Sequence, residues 1–387
     1  MNRCSVVSAW VGSWVLAGTA FALAASPASE TTALAAKDSL KLTLPPVCYS
    51  VVGTPTSICY DNIVLTQAPD KLRFRVQCDL GRSEARAWTF TPQADQVGTF
   101  DWGVTVTDAE GKRLASARCK LHVAPANAGS RNSLRLLLVG DSLTHASIYP
   151  NEIARLLSLP GNPASKLLGT HRPAGVKPGV AHEGYGGWSW ARFASHYEPH
   201  PDGTYRKRSS PFVFLEGDGK PMFDVLRYIQ TACDGTPPDM VTFLLGTNDC
   251  FYTKADDPKA VNGKIEAMFK QADILLAAFH RAAPLADLGV GLTVPANSRE
   301  SGFEASYHGK YHCWDWKRVQ HELVRREIEH FQNRQAERIF LIPTELNLDP
   351  VDGFPENNGC HPNEGGYRQI ATTIYSWIKA RLESRSQ

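Results

Sequence analysis

A serine at the end of a buried strand is the first residue of this chain whose position suits catalysis. Ser142 lies in the stretch Val139-Gly-Asp-Ser-Leu-Thr144, directly after the apolar run 134–139. A serine there is exposed at the carboxyl end of a strand, near a helix N-terminus whose dipole favours developing negative charge. The tetrapeptide Gly-Asp-Ser-Leu is weak evidence by itself, because Asp and Ser are also common helix caps.

Three further loops carry residue types that complete a nucleophilic site. A serine hydroxyl needs a nearby base, and His361 in Gly359-Cys-His-Pro-Asn363 lies on the loop before the last amphipathic segment. Gly187 lies in a glycine-rich loop where the backbone can approach a ligand closely, and Asn248 in Gly246-Thr-Asn-Asp249 offers an amide donor. A tight turn and a helix cap are the alternative interpretations of the last two loops.

These four blocks, in this order, resemble those of the SGNH, or GDSL, hydrolase superfamily. The resemblance covers residues 133–383 and maps the family's four marker residues onto Ser142, Gly187, Asn248 and His361. It implies a serine esterase in which Ser142 and His361 are catalytic. It also implies that Ser142, Gly187 and Asn248 form the oxyanion hole, and that neither a metal nor an organic cofactor is needed.

The chain departs from the family pattern three residues before the histidine. The family usually has Asp there to orient the imidazole, whereas this chain has Asn358. Three interpretations stay open: a backbone carbonyl orients His361, a nearby acid (Asp352 or Asp349) substitutes, or activity is reduced or lost. Loss of the acid in a serine triad leaves a rate above the uncatalysed one. Because the other three blocks are intact, we favour a Ser-His dyad with modest activity.

The sequence after residue 133 predicts a three-layer α/β/α domain with a parallel sheet. Nearly continuous apolar runs at 134–139, 240–245, 288–293 and 338–342 are typical of strands buried on both faces. Segments with helical periodicity lie between and after them, with apolar stripes at 261–279, 316–331 and 367–382. Strands that alternate with helices indicate this architecture, and its sites lie at the carboxyl ends of the strands.

The region before it predicts a smaller all-β domain. Apolar and polar residues alternate at 72–78 and 117–123, which indicates strands with one buried face. We predict an antiparallel, Ig-like sandwich over 30–125, a linker over 126–132 and the hydrolase domain over 133–387. Cys78 and Cys119 fall on the apolar sides of their strands, so we predict a bridge between them across the sheets, with Cys48 and Cys59 left to close a local loop.

The first residues predict export. Residues 1–24 have the pattern of a signal peptide, with one positive charge, an apolar run and a small-residue cleavage site. Removing Cys4 leaves eight of the nine cysteines, and an even number in an exported chain favours disulfides. We therefore predict a secreted or periplasmic protein, with the pairing of Cys233, Cys250, Cys313 and Cys360 left open.

Charge and composition exclude several partners. The formal net charge is +2, from 41 basic and 39 acidic residues without a basic block, so binding of nucleic acid has no electrostatic support. No apolar stretch beyond the signal peptide is long enough to span a bilayer. His308, His312 and Cys313 have a metal-like spacing, but no second Cys/His pair lies nearby.

The aromatic loops indicate a substrate class. Seven rings lie near the predicted site and could stack on sugars: Tyr185, Trp188, Trp190, Phe251, Tyr252, Trp314 and Trp316. The expected substrate is a small or oligomeric ester, with acetylated polysaccharide preferred. The alternatives are a secreted lipase or lysophospholipase of the same family, and a non-catalytic carbohydrate-binding relative. Packing of the loops is the other explanation for the rings.

Overall fold

The computed structural model describes residues 40–386. The predicted signal peptide and Cys4 lie outside the described residues, and export stays a prediction. Among the described residues, no helix has both the length and the apolar character required to cross a membrane.

The first part of the described chain is built from two small sheets around one apolar core. A four-stranded sheet has the order β1-β7-β6-β3, and a three-stranded sheet has the order β2-β5-β4. Trp88 of the smaller sheet and Trp102 of the larger one meet edge to face, with ring centroids 6.1 Å apart. The elements are β1 Val47–Val51, β2 Thr56–Cys59, α1 Tyr60–Ile63, β3 Arg73–Gln77, β4 Arg82–Ser83, β5 Ala87–Phe90, β6 Gly98–Thr107 and β7 Arg113–Ala124.

Two details of this part differ from the sequence predictions. The sheets are not wholly antiparallel, because β1 runs parallel to β7. The predicted Cys78–Cys119 bridge is wrong: β6 separates β3 from β7, so these strands lie about 10 Å apart in one sheet. The parallel β1 instead brings the Cys48 sulfur to 3.6 Å from that of Cys119, and all eight described cysteines are free thiols.

The second part is an α/β unit around a parallel sheet. Its strand order is β10-β8-β13-β14-β15, and β9 pairs with the first half of β8 on the same side as β10; all these neighbours are parallel. A separate hairpin joins β11 and β12. The strands are β8 Ser133–Gly140, β9 Ala164–Leu168, β10 Glu183–Gly184, β11 Val213–Leu215, β12 Pro221–Phe223, β13 Met240–Leu244, β14 Asp287–Gly291 and β15 Ile339–Ile342.

Helices cover both faces of this sheet, as the apolar runs predict. Along β8, Leu137 and Val139 pack into one core, whereas Leu136 and Leu138 pack into the core on the opposite face. The first core includes α7 and α9 and the second includes α3 and α11. The helices are α2 Ser142–His145, α3 Ile148–Leu157, α4 Trp190–Ser195, α5 Val225–Ala232, α6 Thr247–Cys250, α7 Pro258–Ala282, α8 Glu300–Tyr307, α9 Cys313–Phe331, α10 Thr344–Asn347 and α11 Glu364–Ser386.

Side chains join the two parts near the loop that follows α10. The Asn62 amide donates to the backbone oxygens of Glu345 at 2.7 Å and Leu348 at 2.8 Å. Leu346 inserts into the apolar core of the β part, and Arg86 binds the Asp349 carboxylate at 3.0 Å. The two parts belong to one compact unit, and the two-domain boundaries predicted from sequence stay a prediction.

Candidate active site

Ser142 is the first residue of a short helix directly after β8. Asp141 caps this helix, with its carboxylate accepting a hydrogen bond from the Leu143 amide at 2.9 Å. The Ser142 hydroxyl lies 3.0 Å from Nε2 of His361, 219 residues further along the chain. The structure therefore brings the two predicted catalytic residues to hydrogen-bonding distance.

Asp141 also holds Asn248. The Asn248 amide nitrogen donates to the Asp141 carboxylate at 3.2 Å and to the backbone oxygen of Trp188 at 2.9 Å. Burial raises the pKa of Asp141 to about 7, since it opposes the charged form of the carboxyl group. The cap of the serine helix and the predicted oxyanion donor thus belong to one hydrogen-bonded unit.

Gly187 lies beside that unit, on the loop after β10. The Tyr185 amide donates to the backbone oxygen of Gly140 at 3.0 Å, which ties this loop to the end of β8. Gly187 has φ +77°, a conformation that side chains rarely adopt, and open space lies where its Cβ would be. At Gly187 the loop therefore exposes its backbone to solvent, with no side chain in front of it.

Asn358 contacts the backbone of His361 and not its ring. The Asn358 side-chain oxygen accepts from the amides of Cys360 at 3.1 Å and His361 at 2.9 Å. It forms a turn that sets the direction of the backbone at His361, as an Asx turn does. Asn358 therefore makes no hydrogen bond to the imidazole, which is the bond that the family's usual Asp at this position makes.

The alternative acids are also engaged elsewhere. Asp352 and Asp349 both bind the Arg86 guanidinium, which comes from the β part. Among the described residues, Nδ1 of His361 has no hydrogen-bond partner, so neither a carboxylate nor a backbone carbonyl orients the ring. The site is a Ser-His pair in this geometry.

The protein atoms around His361 favour its neutral form. His361 keeps contact with solvent, but its partial burial among protein atoms lowers its pKa from the ordinary value. A neutral imidazole is the form that can accept the serine proton.

Two residues that the sequence analysis missed hold the histidine loop. Asn297, buried on the loop after β14, donates through its side-chain amide to the backbone oxygens of Pro355 at 2.9 Å and Asn358 at 3.0 Å. Arg299 donates to the backbone oxygens of Val351 at 2.9 Å and Phe354 at 2.7 Å. Both residues follow β14, a parallel strand, and loops after parallel strands lie at the same edge of the sheet as Ser142. That position could have marked them as site residues.

A small cavity lies beside the Ser-His pair. It measures about 20 Å³, roughly the room that one water molecule or one methyl group needs. Its lining residues come from α2 and its cap, from α6, from the loop after β14, from α9 and from the histidine loop: Asp141, Ser142, Leu143, Thr247, Val294, Pro295, Ala296, Trp316, Cys360 and His361.

Most of the aromatic rings near the site are core residues. Four of the seven predicted sugar-stacking rings are fully buried: Tyr185, Trp188, Trp190 and Trp316. Trp314 and Phe251 are partly exposed, and Tyr252 is 61% exposed. Packing of the loops is therefore the role of the first four, and only the other three are accessible to a ligand.

The cysteines next to the site form no bridge. Cys250 is buried, and the Cys360 sulfur accepts a hydrogen bond from the Tyr307 hydroxyl at 3.0 Å. No group of three or more His, Cys, Asp or Glu residues in the described part of the chain could hold a metal ion.

Comparison with known proteins finds similarity at the level of structure. No family model matches the chain, and no curated protein matches its sequence. A carbohydrate esterase family 3 structure from Talaromyces cellulolyticus is 19% identical, with a TM-score of 0.40, over 65% of this chain and 99% of that one. A family 3 carbohydrate esterase from Clostridium thermocellum is 18% identical (TM-score 0.41; 66% and 100% covered). The acetyl xylan esterase AlAXEase is 14% identical (TM-score 0.34; 63% and 100% covered).

Proposed function

We propose that this protein is a serine esterase of the SGNH/GDSL type that removes small acyl groups, acetyl above all, from carbohydrate esters. The observation that carries the proposal is the 3.0 Å contact between the Ser142 hydroxyl and His361 Nε2 at the carboxyl edge of the parallel sheet. The order of the Ser142, Gly187, Asn248 and His361 blocks supports it independently.

The chemistry is acyl transfer in two steps. Neutral His361 takes the hydroxyl proton while Ser142 attacks the ester carbonyl, and the imidazolium then protonates the leaving alcohol. The backbone amides of Ser142 and Gly187 and the Asn248 amide stabilise the negative charge that develops on the carbonyl oxygen. Water then attacks the acyl-enzyme by the same path in reverse, which returns the proton to Ser142.

The size of the cavity beside Ser142 favours a short acyl group. Its volume of about 20 Å³ is roughly the room that the methyl group of an acetate needs. This observation ranks the acetylesterase above the lipase alternative. Export of the protein, which would place it beside extracellular polysaccharide, remains part of the proposal.

Labelling and hydrolysis test the proposal together. We expect a fluorophosphonate probe to label the wild type but not Ser142→Ala or His361→Ala, and we expect the wild type to hydrolyse p-nitrophenyl acetate. Ser158→Ala, an exposed serine at the end of α3, is the matched control and should label like the wild type. A folded wild type that neither labels nor hydrolyses the ester would support the non-catalytic carbohydrate binder instead.

Chain length separates the two esterase classes. We expect kcat/KM to fall steadily from p-nitrophenyl acetate to the butyrate and octanoate. A preference for acyl chains of eight carbons would favour the lipase and contradict the carbohydrate esterase.

A further inference from the structure

A large cavity lies where the β part meets the α/β part. Its volume is about 500 Å³, within the usual range of small-molecule sites. The β part contributes Tyr60, Asp61 and Arg86 to its lining, and the α/β part contributes Asn297, Trp314 and His321. Neither part alone encloses this space, so the cavity exists only because the two parts pack together.

This cavity adjoins the catalytic one. Pro295, Ala296 and Trp316 line both. The shared residues belong to the loop after β14 and to α9, the same elements that flank Ser142 and support the histidine loop. A substrate whose acyl group occupies the small cavity therefore has the larger one as its neighbour.

The lining combines a partly exposed aromatic ring with polar groups. Trp314 is partly exposed, so its ring is available for stacking against the apolar face of a pyranose. His321 is only 3% exposed, yet its Nε2 has no hydrogen-bond partner among the described residues. Burial lowers the pKa of His321 to about 4, so the imidazole in this wall of the cavity is neutral.

The charges of the lining select against an anionic ligand. Four carboxylates line the cavity (Asp61, Asp70, Glu300 and Asp349), against two permanent cations, Arg86 and Lys317. Lys317 pairs with Asp61, and Arg86 pairs with Asp349, so neither cation is free to bind a uronate or a phosphate. A neutral ligand rich in hydroxyl groups is compatible with this lining, because its carboxylates can accept hydrogen bonds from hydroxyl groups.

We propose that this cavity is the subsite for the sugar portion of the ester, with Trp314 as the stacking face and with the β part forming one wall. This inference rests on the proposed function and adds to it that the preferred alcohol is a neutral oligosaccharide. The β part thereby takes part in substrate selection in addition to its packing role.

Filling the cavity from the β side tests the inference. Ala85 is exposed and lines the cavity, so Ala85→Trp reduces its volume without a change in the core. Ala94→Trp adds the same ring at an exposed position of the β part outside the cavity and is the matched control. Trp314→Ala removes the stacking face, and thermal melts of all three variants check folding.

Two readouts separate this inference from the proposed function. The first is calorimetric titration of Ser142→Ala, alone and combined with each of the three substitutions, with xylotriose, cellotriose and mannotriose. We expect at least one trisaccharide to bind, with affinity at least tenfold weaker when Ala85→Trp or Trp314→Ala is added and unchanged when Ala94→Trp is added. The second readout is hydrolysis of p-nitrophenyl acetate by the wild type, which tests the esterase whatever the titrations show.

The outcomes that overturn the subsite are distinct. If no trisaccharide binds, or if Ala85→Trp and Ala94→Trp bind it equally well, the cavity does not take the sugar. If Ala85→Trp lowers the ratio of octanoate to acetate hydrolysis tenfold while Ala94→Trp does not, the cavity takes the acyl chain and the sugar assignment is wrong.

Discussion

Ser142 and His361 are held in opposite ways. Ser142 follows β8 directly, and the cap of its helix, Asp141, is its neighbour in sequence. His361 lies on a loop without helix or strand between α10 and α11. That loop is held by side chains distant in sequence, from the loop after β14 and from the β part.

The difference shows which contacts fix the position of each of the two side chains. Ser142, the proposed nucleophile, is placed by local backbone structure, since a strand followed by a capped helix leaves little conformational freedom. His361, the proposed base, is placed by long-range contacts that also order its loop. Ordering the loop costs conformational entropy, which those contacts must offset. Substitutions far from the chemistry should therefore disturb the histidine side more than the serine side.

The largest effect among the residues around Ser142 and His361 should come from Asn248, the proposed oxyanion donor. Asn248→Ala removes the amide held by Asp141 and Trp188, and we expect kcat to fall about 10²- to 10³-fold with little change in KM. Steady-state kinetics on p-nitrophenyl acetate measure this. Asn262→Ala, on the surface of α7, is the control and should retain wild-type kcat. A kcat for Asn248→Ala within threefold of wild type would remove Asn248 from the oxyanion hole.

A support on the histidine side should matter next. Asn297→Ala removes two side-chain hydrogen bonds to the backbone of the histidine loop, each worth roughly 1 kcal/mol, so we expect kcat to fall roughly tenfold to a hundredfold. Asn151→Ala removes comparable bonds to a loop remote from His361 and should leave kcat unchanged. Equal kinetics in the two variants would show that the loop holds its shape without Asn297.

The pH dependence of kcat/KM tests what sets the pKa of His361. Because burial lowers the pKa of His361, wild-type kcat/KM should fall with decreasing pH only through a midpoint below about 6.5, the ordinary value for histidine. Asn358→Asp keeps the oxygen that forms the turn and adds a carboxylate near the ring, so we expect the midpoint to rise by about one pH unit. Asn357→Asp places the same charge one residue earlier, at an exposed position, and should shift the midpoint less. Identical midpoints in the two variants would show that residue 358 acts on the backbone alone.

The smallest effect concerns Glu327, a buried acid on α9. Glu327 of α9 accepts hydrogen bonds from the backbone and side chain of Thr293, and burial raises its pKa to about 8. A carboxyl group whose pKa is raised on folding contributes its full stability below about pH 4, and that contribution is lost as pH rises to about 8. Glu327→Gln lacks this loss, so its Tm relative to wild type should increase by about 5 °C between pH 5 and pH 8.

The control for that measurement is on the same helix. Glu329→Gln changes an exposed residue of α9 and should give the same Tm difference at both pH values. A Glu327→Gln difference that does not grow with pH would show that the carboxyl group is charged in the folded protein.

Periodicity determined the α/β part of the fold. The apolar runs at 134–139, 240–245, 288–293 and 338–342 coincide with β8, β13, β14 and β15, and the predicted stripes lie on α7, α9 and α11. These patterns are local, because a residue's burial on a helix or strand repeats over a few positions. The β part was less predictable, since strand order depends on pairing between distant segments. That is why the parallel β1–β7 pair and the Cys48–Cys119 contact were missed.

The amino-acid sequence alone determined the identity and the neighbourhood of Ser142, Gly187, Asn248 and His361, because each follows a strand or precedes a helix that its own segment specifies. Only the tertiary structure decided how His361 is held. Asn358 turns the backbone, Asn297 and Arg299 anchor the loop, and Arg86 of the β part occupies the acids that were candidates for the third position. These contacts join residues more than fifty positions apart, apart from the Asn358 turn, so no local pattern encodes them, and the packing of the two parts sets their geometry.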